Sequence, residues 1–136
     1  MNAFDELMAY TLTHGDPAFI HQHVVDAQMA QTATDATKPI GITFALAGLY
    51  LHCERNFTGR QVQLAHMTMG QRKREWPKFV LPPNRGSVTA GDVLAAAPGP
   101  QRDRAIEAWA ASVWSAYRDA NRQTIIQLLR LYDLAS

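Results

Sequence analysis

The chain has 136 residues, of which 47% are hydrophobic and 18% are charged, and its formal net charge is +1. A chain of this length can bury a core without disulfides or a structural metal, and its aromatic residues argue against a disordered protein. The balance of 13 basic and 12 acidic residues lacks the excess of positive charge typical of nucleic-acid binding, so no nucleic-acid partner is predicted.

Membrane and disulfide-based classes of protein are also disfavoured. The N-terminal residues lack the basic and apolar regions of a signal peptide, and the longest weakly polar run, residues 40–51, is too short to span a bilayer. Cys53 is the only cysteine, so no internal disulfide can form. We therefore expect a cytoplasmic protein with one helical domain over residues 1–136 and no membrane partner.

Two helices are predicted at the start of the chain, the first of them amphipathic. The first covers residues 2–13, where apolar side chains recur at helical spacing. The second is expected to open at Asp16-Pro17, because a cap acceptor there precedes a proline at the first helical position. It should run to about residue 33.

Two further helices are predicted in the middle of the chain, and the first of them is expected to be buried. Pro39 begins a helix over residues 39–55 that is apolar nearly all round, which is typical of the central helix of a bundle. Thr58 should cap a fourth helix of about residues 59–74. The basic run 72–74 is interpreted as the solvated end of that helix.

Prolines interrupt the helical pattern over residues 75–88, so this segment should be extended and lie on the helices. Thr89 and Asp92 have capping-box spacing, which predicts a short helix through Ala96. From about residue 101 onward neither proline nor glycine occurs, and apolar residues keep a three-and-four spacing. A long C-terminal helix follows from this pattern.

Polar residues on the second helix are the strongest candidates for chemistry. His23 and Asp26 are three residues apart and share a helical face, so they could jointly ligate a divalent metal. His52 and His66, on the third and fourth helices, could supply further ligands. In the competing interpretation Asp26 accepts a hydrogen bond from a buried neighbour, while the histidines cap helices or face solvent.

Aromatic and basic residues later in the chain could bind a ligand. Trp109 and Trp114 could line a pocket, although tryptophans at helical spacing are more often core residues. Arg85 is held on the proline-rich segment, where it could bind a carboxylate ligand or satisfy the last carbonyl groups of a helix. The structural role of Arg85 is favoured.

No standard catalytic motif is present in the sequence. His52 and Cys53 are adjacent, and neighbouring residues point about 100° apart on a helix, so they do not form a nucleophile and its base. Glu54 is expected to form an ion pair with Arg55 or Arg60.

Four segments in order carry a resemblance to a known family. They are residues 21–31, Phe44–Leu51 with Glu54, the segment from Trp76-Pro77 to Val93-Leu94, and Trp109 with Val113-Trp114. Together they resemble a bacterial family, the domain of unknown function 5946, over roughly residues 16–130. The histidine, aspartate and glutamine of that family's early helix fall on His21, Asp26 and Gln31. The chain lacks the N-terminal cysteine pair of many similar sequences, which weakens a metal site carried over from the family.

The sequence predicts an all-α bundle of about five or six helices, with a proline-rich segment before the long last helix. The favoured function is a non-catalytic module that binds a small molecule or a protein, with no cofactor. Its candidate ligand-binding residues are His21, Asp26, Gln31, Arg85, Trp109 and Trp114. The alternative is a metal-dependent enzyme with a divalent metal at His23, Asp26, His52 and His66. A homodimer is compatible with either function.

Overall fold

A computed structural model describes residues 2–13, 18–72 and 75–135. These residues form six helices and no strand: α1 (Ala3–Thr13), α2 (His21–Thr32), α3 (Pro39–Arg55), α4 (Gly59–Gln71), α5 (Ala90–Ala95) and α6 (Pro100–Arg130). The predicted all-α class, the irregular proline-rich segment and the long last helix are confirmed. No helix in the described part of the chain combines the length and the apolar character needed to cross a membrane.

Local capping explains where α4 and α5 begin. The Thr58 side chain accepts a hydrogen bond from the backbone N–H of Gln61, whose own side chain accepts one from the Thr58 N–H. Thr89 and Asp92 make the same reciprocal pair at the start of α5. Each pair satisfies two backbone donors that a helix start otherwise leaves without partners, so both predicted caps are confirmed.

The predicted start of α2 at Asp16-Pro17 is wrong. Those two residues lie outside the described ranges, and the segment from Ala18 to Ile20 is not helical. The Ala18 carbonyl accepts a hydrogen bond of 2.9 Å from the N–H of Arg60, in the first turn of α4. Phe19 adopts a positive φ of 59°. The start of α2 is therefore shifted by a long-range contact with α4, which the local cap pattern does not contain.

The core forms where α2, α3 and α6 pack against one another. Helix α4 covers α3 and α2, while α1 contacts α2 and α5, and α5 also contacts α6. Helices α2 and α3 run antiparallel, because His23 faces His52 and Asp26 faces Gly48. The buried position of α3 confirms the prediction that it is the central helix of the bundle, and α3 packs against α6.

The proline-rich segment runs along α6 in the opposite direction. The Asn121 side chain donates to the Val80 carbonyl at 2.8 Å and accepts from the Val80 N–H at 2.7 Å. Further along the segment, the Ser87 N–H donates to Ser112 Oγ at 3.0 Å. Three apolar residues of the segment pack against the core as predicted, namely Trp76, Phe79 and Leu81. Side-chain bonds from α6 thus hold a segment that has no secondary structure of its own.

Most of the large apolar side chains of α1 are covered by the rest of the chain. Leu7 is fully buried, and Phe4 and Met8 are partly buried against the core. Of the apolar side chains of α1, Leu12 is 62% exposed. Most of this face is therefore used within one chain, and the homodimer stays a prediction.

Replacing Gly86 by alanine is expected to destabilise the protein. Gly86 has a φ of 100°, and a Cβ atom there would lie 2.5 Å from Ser112 Oγ and 3.0 Å from the Ser112 backbone. Positive φ alone costs a residue other than glycine about 1–3 kcal/mol. Urea unfolding of Gly86→Ala should show this loss in the free energy of unfolding.

The matched control is Gly70→Ala on α4. Nothing lies within 4 Å of a Cβ atom at Gly70, so this change should be neutral or raise stability by about 0.5–1 kcal/mol. Equal effects of the two substitutions would contradict the proposed role of Gly86 at the contact with α6.

Candidate functional site

The polar side chains of α2 contact several different elements. Near its start, His21 Nδ1 lies 2.8 Å from Thr11 Oγ1 on α1, and burial lowers the pKa of His21. Thr11 also donates to the Leu7 carbonyl within its own helix. Since one hydroxyl proton cannot serve two acceptors well, the His21 ring is best placed as the donor to Thr11. His21 therefore joins α2 to α1.

Asp26 is buried against the backbone of α3. Its Oδ1 accepts a hydrogen bond of 3.0 Å from Gln22 Nε2, but its buried Oδ2 has no hydrogen-bond partner. A Cβ atom at Gly48 would overlap Oδ2 and would lie 2.8 Å from the Asp26 Cγ atom. Burial raises the pKa of Asp26 well above its ordinary value, although the Gln22 bond opposes that change. The low polarity of this position between two helices disfavours the charged form of the carboxyl group.

The four candidate metal ligands do not form one cluster. The rings of His23 and His52 are stacked, with centroids 3.5 Å apart and an interplanar angle of 20°. The lone pair of a ring nitrogen lies in the plane of its ring. Because the two ring planes are nearly parallel, the lone pairs of His23 and His52 do not converge on one ion. Among the described residues, no three His, Cys, Asp or Glu side chains are placed to hold a metal.

Backbone carbonyl groups engage two of these histidines. His52 Nδ1 lies 2.8 Å from the Phe57 carbonyl oxygen, and His66 Nε2 lies 2.7 Å from that of Phe44. A carbonyl only accepts, so each of these ring nitrogens carries the proton. Burial lowers the pKa of His66, and the bond to Phe44 acts in the opposite direction. Both histidines therefore stabilise helix packing.

Gln31 connects α2, α6 and the proline-rich segment. Its Oε1 accepts from Trp109 Nε1 at 2.9 Å, and its Nε2 donates to the Val88 carbonyl at 2.7 Å and to that of Arg85 at 3.3 Å. Trp109 is fully buried, as predicted for a core residue. One amide side chain thus satisfies the indole and fixes the segment against α2.

Arg85 closes the end of α2. Its Nη1 donates to the carbonyl groups of Ala33 and Gln31, the latter at 3.5 Å, and its Nε donates to the Pro82 carbonyl at 2.9 Å. The predicted structural role of Arg85 is confirmed. A cation is also favourable here because the C-terminus of a helix carries partial negative charge.

Glu54 pairs with α6, and not with either predicted arginine. Its Oε1 accepts from Arg122 Nε at 2.7 Å, and its Oε2 accepts from Trp114 Nε1 at 2.8 Å. Arg60 instead lies over the Phe19 ring, 4.5 Å from its centroid. The predicted pairing was wrong because it used neighbours in sequence, whereas α3 and α6 pack side by side. Trp114 is buried, as expected of a core residue.

Cys53 is a partly buried thiol. Burial and the negative charges of Glu54 and Glu107 raise its pKa to about 12. The reactive thiolate is therefore scarce at neutral pH, in agreement with the prediction that Cys53 is not a nucleophile.

An open groove of about 670 Å³ lies between the start of α1, the last turns of α2 and the proline-rich segment with α5. We call it the α2 groove. Its lining residues are Asn2, Ala3, Phe4, Gln28, Gln31, Thr32, Pro83, Arg85, Gly86, Thr89, Ala90 and Gly91. Of the six predicted ligand-binding residues, Gln31 and Arg85 line this groove, whereas His21, Asp26, Trp109 and Trp114 do not.

The profile of a family described as "Family of unknown function (DUF5946)" matches residues 1–118. The chain belongs to this family. The resemblance predicted from the sequence is thereby confirmed. No curated protein and no solved structure matches the chain. In this member of DUF5946, the three early-helix residues His21, Asp26 and Gln31 each contact a different neighbouring element.

Gln28 lines the groove but is absent from the predicted set of ligand-binding residues. It lies one turn before Gln31 and Thr32 on α2, so it shares their side of the helix. Helical spacing from Gln31 could have found it. No sequence pattern could predict that Phe4 and Gly91 line the same groove, because α1 and α5 are distant from α2 and from each other in sequence.

Replacing Asp26 by asparagine should change the pH dependence of stability. The folded-state pKa lies above the unfolded value of about 3.9, so between these two values only the unfolded state loses its proton. Wild-type stability therefore falls as pH rises through this window, by about 1.4 kcal/mol per pH unit from this group alone. Asp26→Asn removes that contribution, so its stability relative to wild type should increase with pH.

Urea unfolding over a range of pH would measure this difference. Asp119→Asn is the matched control, because the Asp119 side chain is 96% exposed. A constant difference between Asp26→Asn and wild type across pH would show that Asp26 has an ordinary pKa in the folded protein.

Gly48→Ala should be strongly destabilising, by about 3 kcal/mol or more, because its methyl group would overlap the Asp26 carboxyl group. Adding Asp26→Ala removes the overlapping atoms. The double variant should therefore unfold at a higher urea concentration than Gly48→Ala alone. If the two effects were simply additive, the carboxyl group would not be what excludes a side chain at Gly48.

Proposed function

We propose that the protein is a non-catalytic module that binds a small molecule in the α2 groove. The observation that carries this proposal is the groove itself, whose volume of about 670 Å³ lies in the range of small-molecule sites. Such sites combine apolar walls with a few fixed polar groups. Phe4, Pro83 and Ala90 supply apolar surface here, and Gln28, Gln31 and Arg85 supply polar groups.

The polar groups on one side of the groove are held in place before any ligand binds. Gln31 is fixed by its bonds to Trp109 and Val88, and Arg85 by its bonds to Pro82 and Ala33. A fixed side chain loses little conformational entropy when a ligand binds, so affinity is gained. This rigidity supports a binding site.

The alternative of a metal-dependent enzyme lacks comparable support among the described residues. His23 and His52 stack face to face, and a backbone carbonyl engages His66. Asp26 is buried against Gly48, so its carboxyl group is out of reach of a substrate. These contacts favour a structural role for the residues on which the enzyme hypothesis depends.

Filling the groove should abolish ligand binding. Gly91 is an exposed residue of α5, and a Cβ atom there would make only an ordinary contact of 3.7 Å with Thr89 Oγ1. Gly91→Tyr should therefore fold while its ring occupies the groove. The measurement is a screen of neutral and anionic aromatic fragments by protein-observed NMR, with shifts expected at Gln28 and Thr32 in wild type and lost in Gly91→Tyr.

Gly70→Tyr is the matched control, because it places the same ring on α4 where nothing lies within 4 Å of a Cβ atom. It should bind fragments as wild type does. If no fragment shifts the groove resonances of wild type, or if Gly91→Tyr leaves those shifts intact, the groove is not the binding site.

A further inference from the structure

We propose that the ligand of the α2 groove is a small monocarboxylate with an apolar body, bound through Arg85 and Gln28. This inference rests on the proposed function and adds the chemical class of the ligand.

Arg85 has hydrogen-bond donors left over for a ligand. A guanidinium group carries five N–H donors, of which Nε carries one and each Nη carries two. Nε is used by the Pro82 carbonyl, and Nη1 by those of Ala33 and Gln31. Within the described ranges, Nη2 has no hydrogen-bond partner, so its two donors remain. The three bonds hold the guanidinium group while Nη2 stays unused.

Gln28 offers a second polar group that the fold does not use. Its backbone carbonyl accepts from Thr32 Oγ1, whereas its side-chain amide has no partner among the described residues. It is half-buried in the lining of the groove. Gln28 and Arg85 line the same groove. A carboxylate has two oxygens and about four acceptor positions, so it can accept from both an amide N–H and a guanidinium group.

The charge of the groove favours one negative charge on the ligand and opposes two. Arg85 is the single charged residue among the described lining residues. Part of its positive charge is already offset by the C-terminal carbonyl groups of α2, to which it donates. Asp92 also follows the lining residue Gly91 in the chain. A monoanionic carboxylate therefore suits this site better than a phosphate dianion.

The apolar lining selects for the rest of the ligand. Phe4 of α1, Pro83 of the proline-rich segment and Ala90 of α5 give the groove surface that cannot form side-chain hydrogen bonds. Burial of an aryl or branched alkyl group there would remove apolar surface from water. The ligand is thus expected to be amphipathic, with a carboxylate at one end.

Benzoate and its neutral analogue benzamide are suitable probes, because they have nearly the same shape and differ in charge. NMR titration of wild-type protein should give benzoate at least about tenfold higher affinity, since bonds to charged groups are stronger than neutral ones. Arg85 is a poor position to test, because its loss would also release the end of α2. Gln28→Glu is preferable: it adds a negative charge without breaking a side-chain bond.

Gln28→Glu should weaken benzoate binding by about tenfold or more, and it should weaken benzoate binding more than it weakens binding of the uncharged benzamide. Gln127→Glu is the matched control, because it makes the same change on the exposed side of α6, outside the groove. It should alter neither affinity.

The outcomes separate this inference from the proposed function. If benzamide binds the groove as tightly as benzoate, or if Gln28→Glu leaves benzoate affinity unchanged, the carboxylate class is wrong while a small-molecule groove stands. The carboxylate class would also be wrong if inorganic phosphate shifted the same groove resonances and bound more tightly than benzoate. If neither probe nor any fragment shifts groove resonances, both proposals fail.

Discussion

The burial of a polar helix is the constraint on which the rest of this structure depends. Helix α2 lies between α3, α6 and α1, although several of its side chains are polar. A buried polar group without a partner costs about 1–3 kcal/mol, so each must meet a complementary group. Asp26 is the exception: one of its carboxyl oxygens accepts a hydrogen bond from Gln22, and the other lies against Gly48 without a hydrogen-bond partner. Burial raises the pKa of this carboxyl group, so its charged form is disfavoured.

The partners of α2 also determine where the irregular part of the chain lies. Gln31 donates to the Val88 carbonyl, and Arg85 returns bonds to the end of α2. On the opposite side, Asn121 and Ser112 of α6 bind the same proline-rich segment. Two helices thus hold a chain segment that prolines keep out of regular structure. The segment in turn forms one wall of the α2 groove, so the groove is a consequence of how the buried polar groups are satisfied.

This arrangement separates residues that the fold uses from those it leaves available. The polar atoms of Gln31 are largely engaged in holding the segment, and those of Asp26 lie out of reach between helices. Gln28 and Arg85 line the groove and retain bonding capacity, since the Gln28 side-chain amide and Arg85 Nη2 have no hydrogen-bond partner among the described residues. The side chains with remaining bonding capacity thus differ from Asp26 and Gln31, whose contacts stabilise the packing around α2.

Sequence alone determined most of the helix content, because caps and apolar periodicity act over a few residues. The capping-box spacing of Thr58 to Gln61 predicts the start of α4, and that of Thr89 to Asp92 predicts the start of α5. Pro39 likewise predicts the start of α3. The start of α2, the partner of Glu54 and the surroundings of Asp26 were decided only by tertiary structure. In each case the partner comes from a distant element: Arg60 for Ala18, Arg122 for Glu54 and Gly48 for Asp26. Local propensity contains no information on which helices will pack together. The groove is built from four separate segments, so local propensity could not predict it.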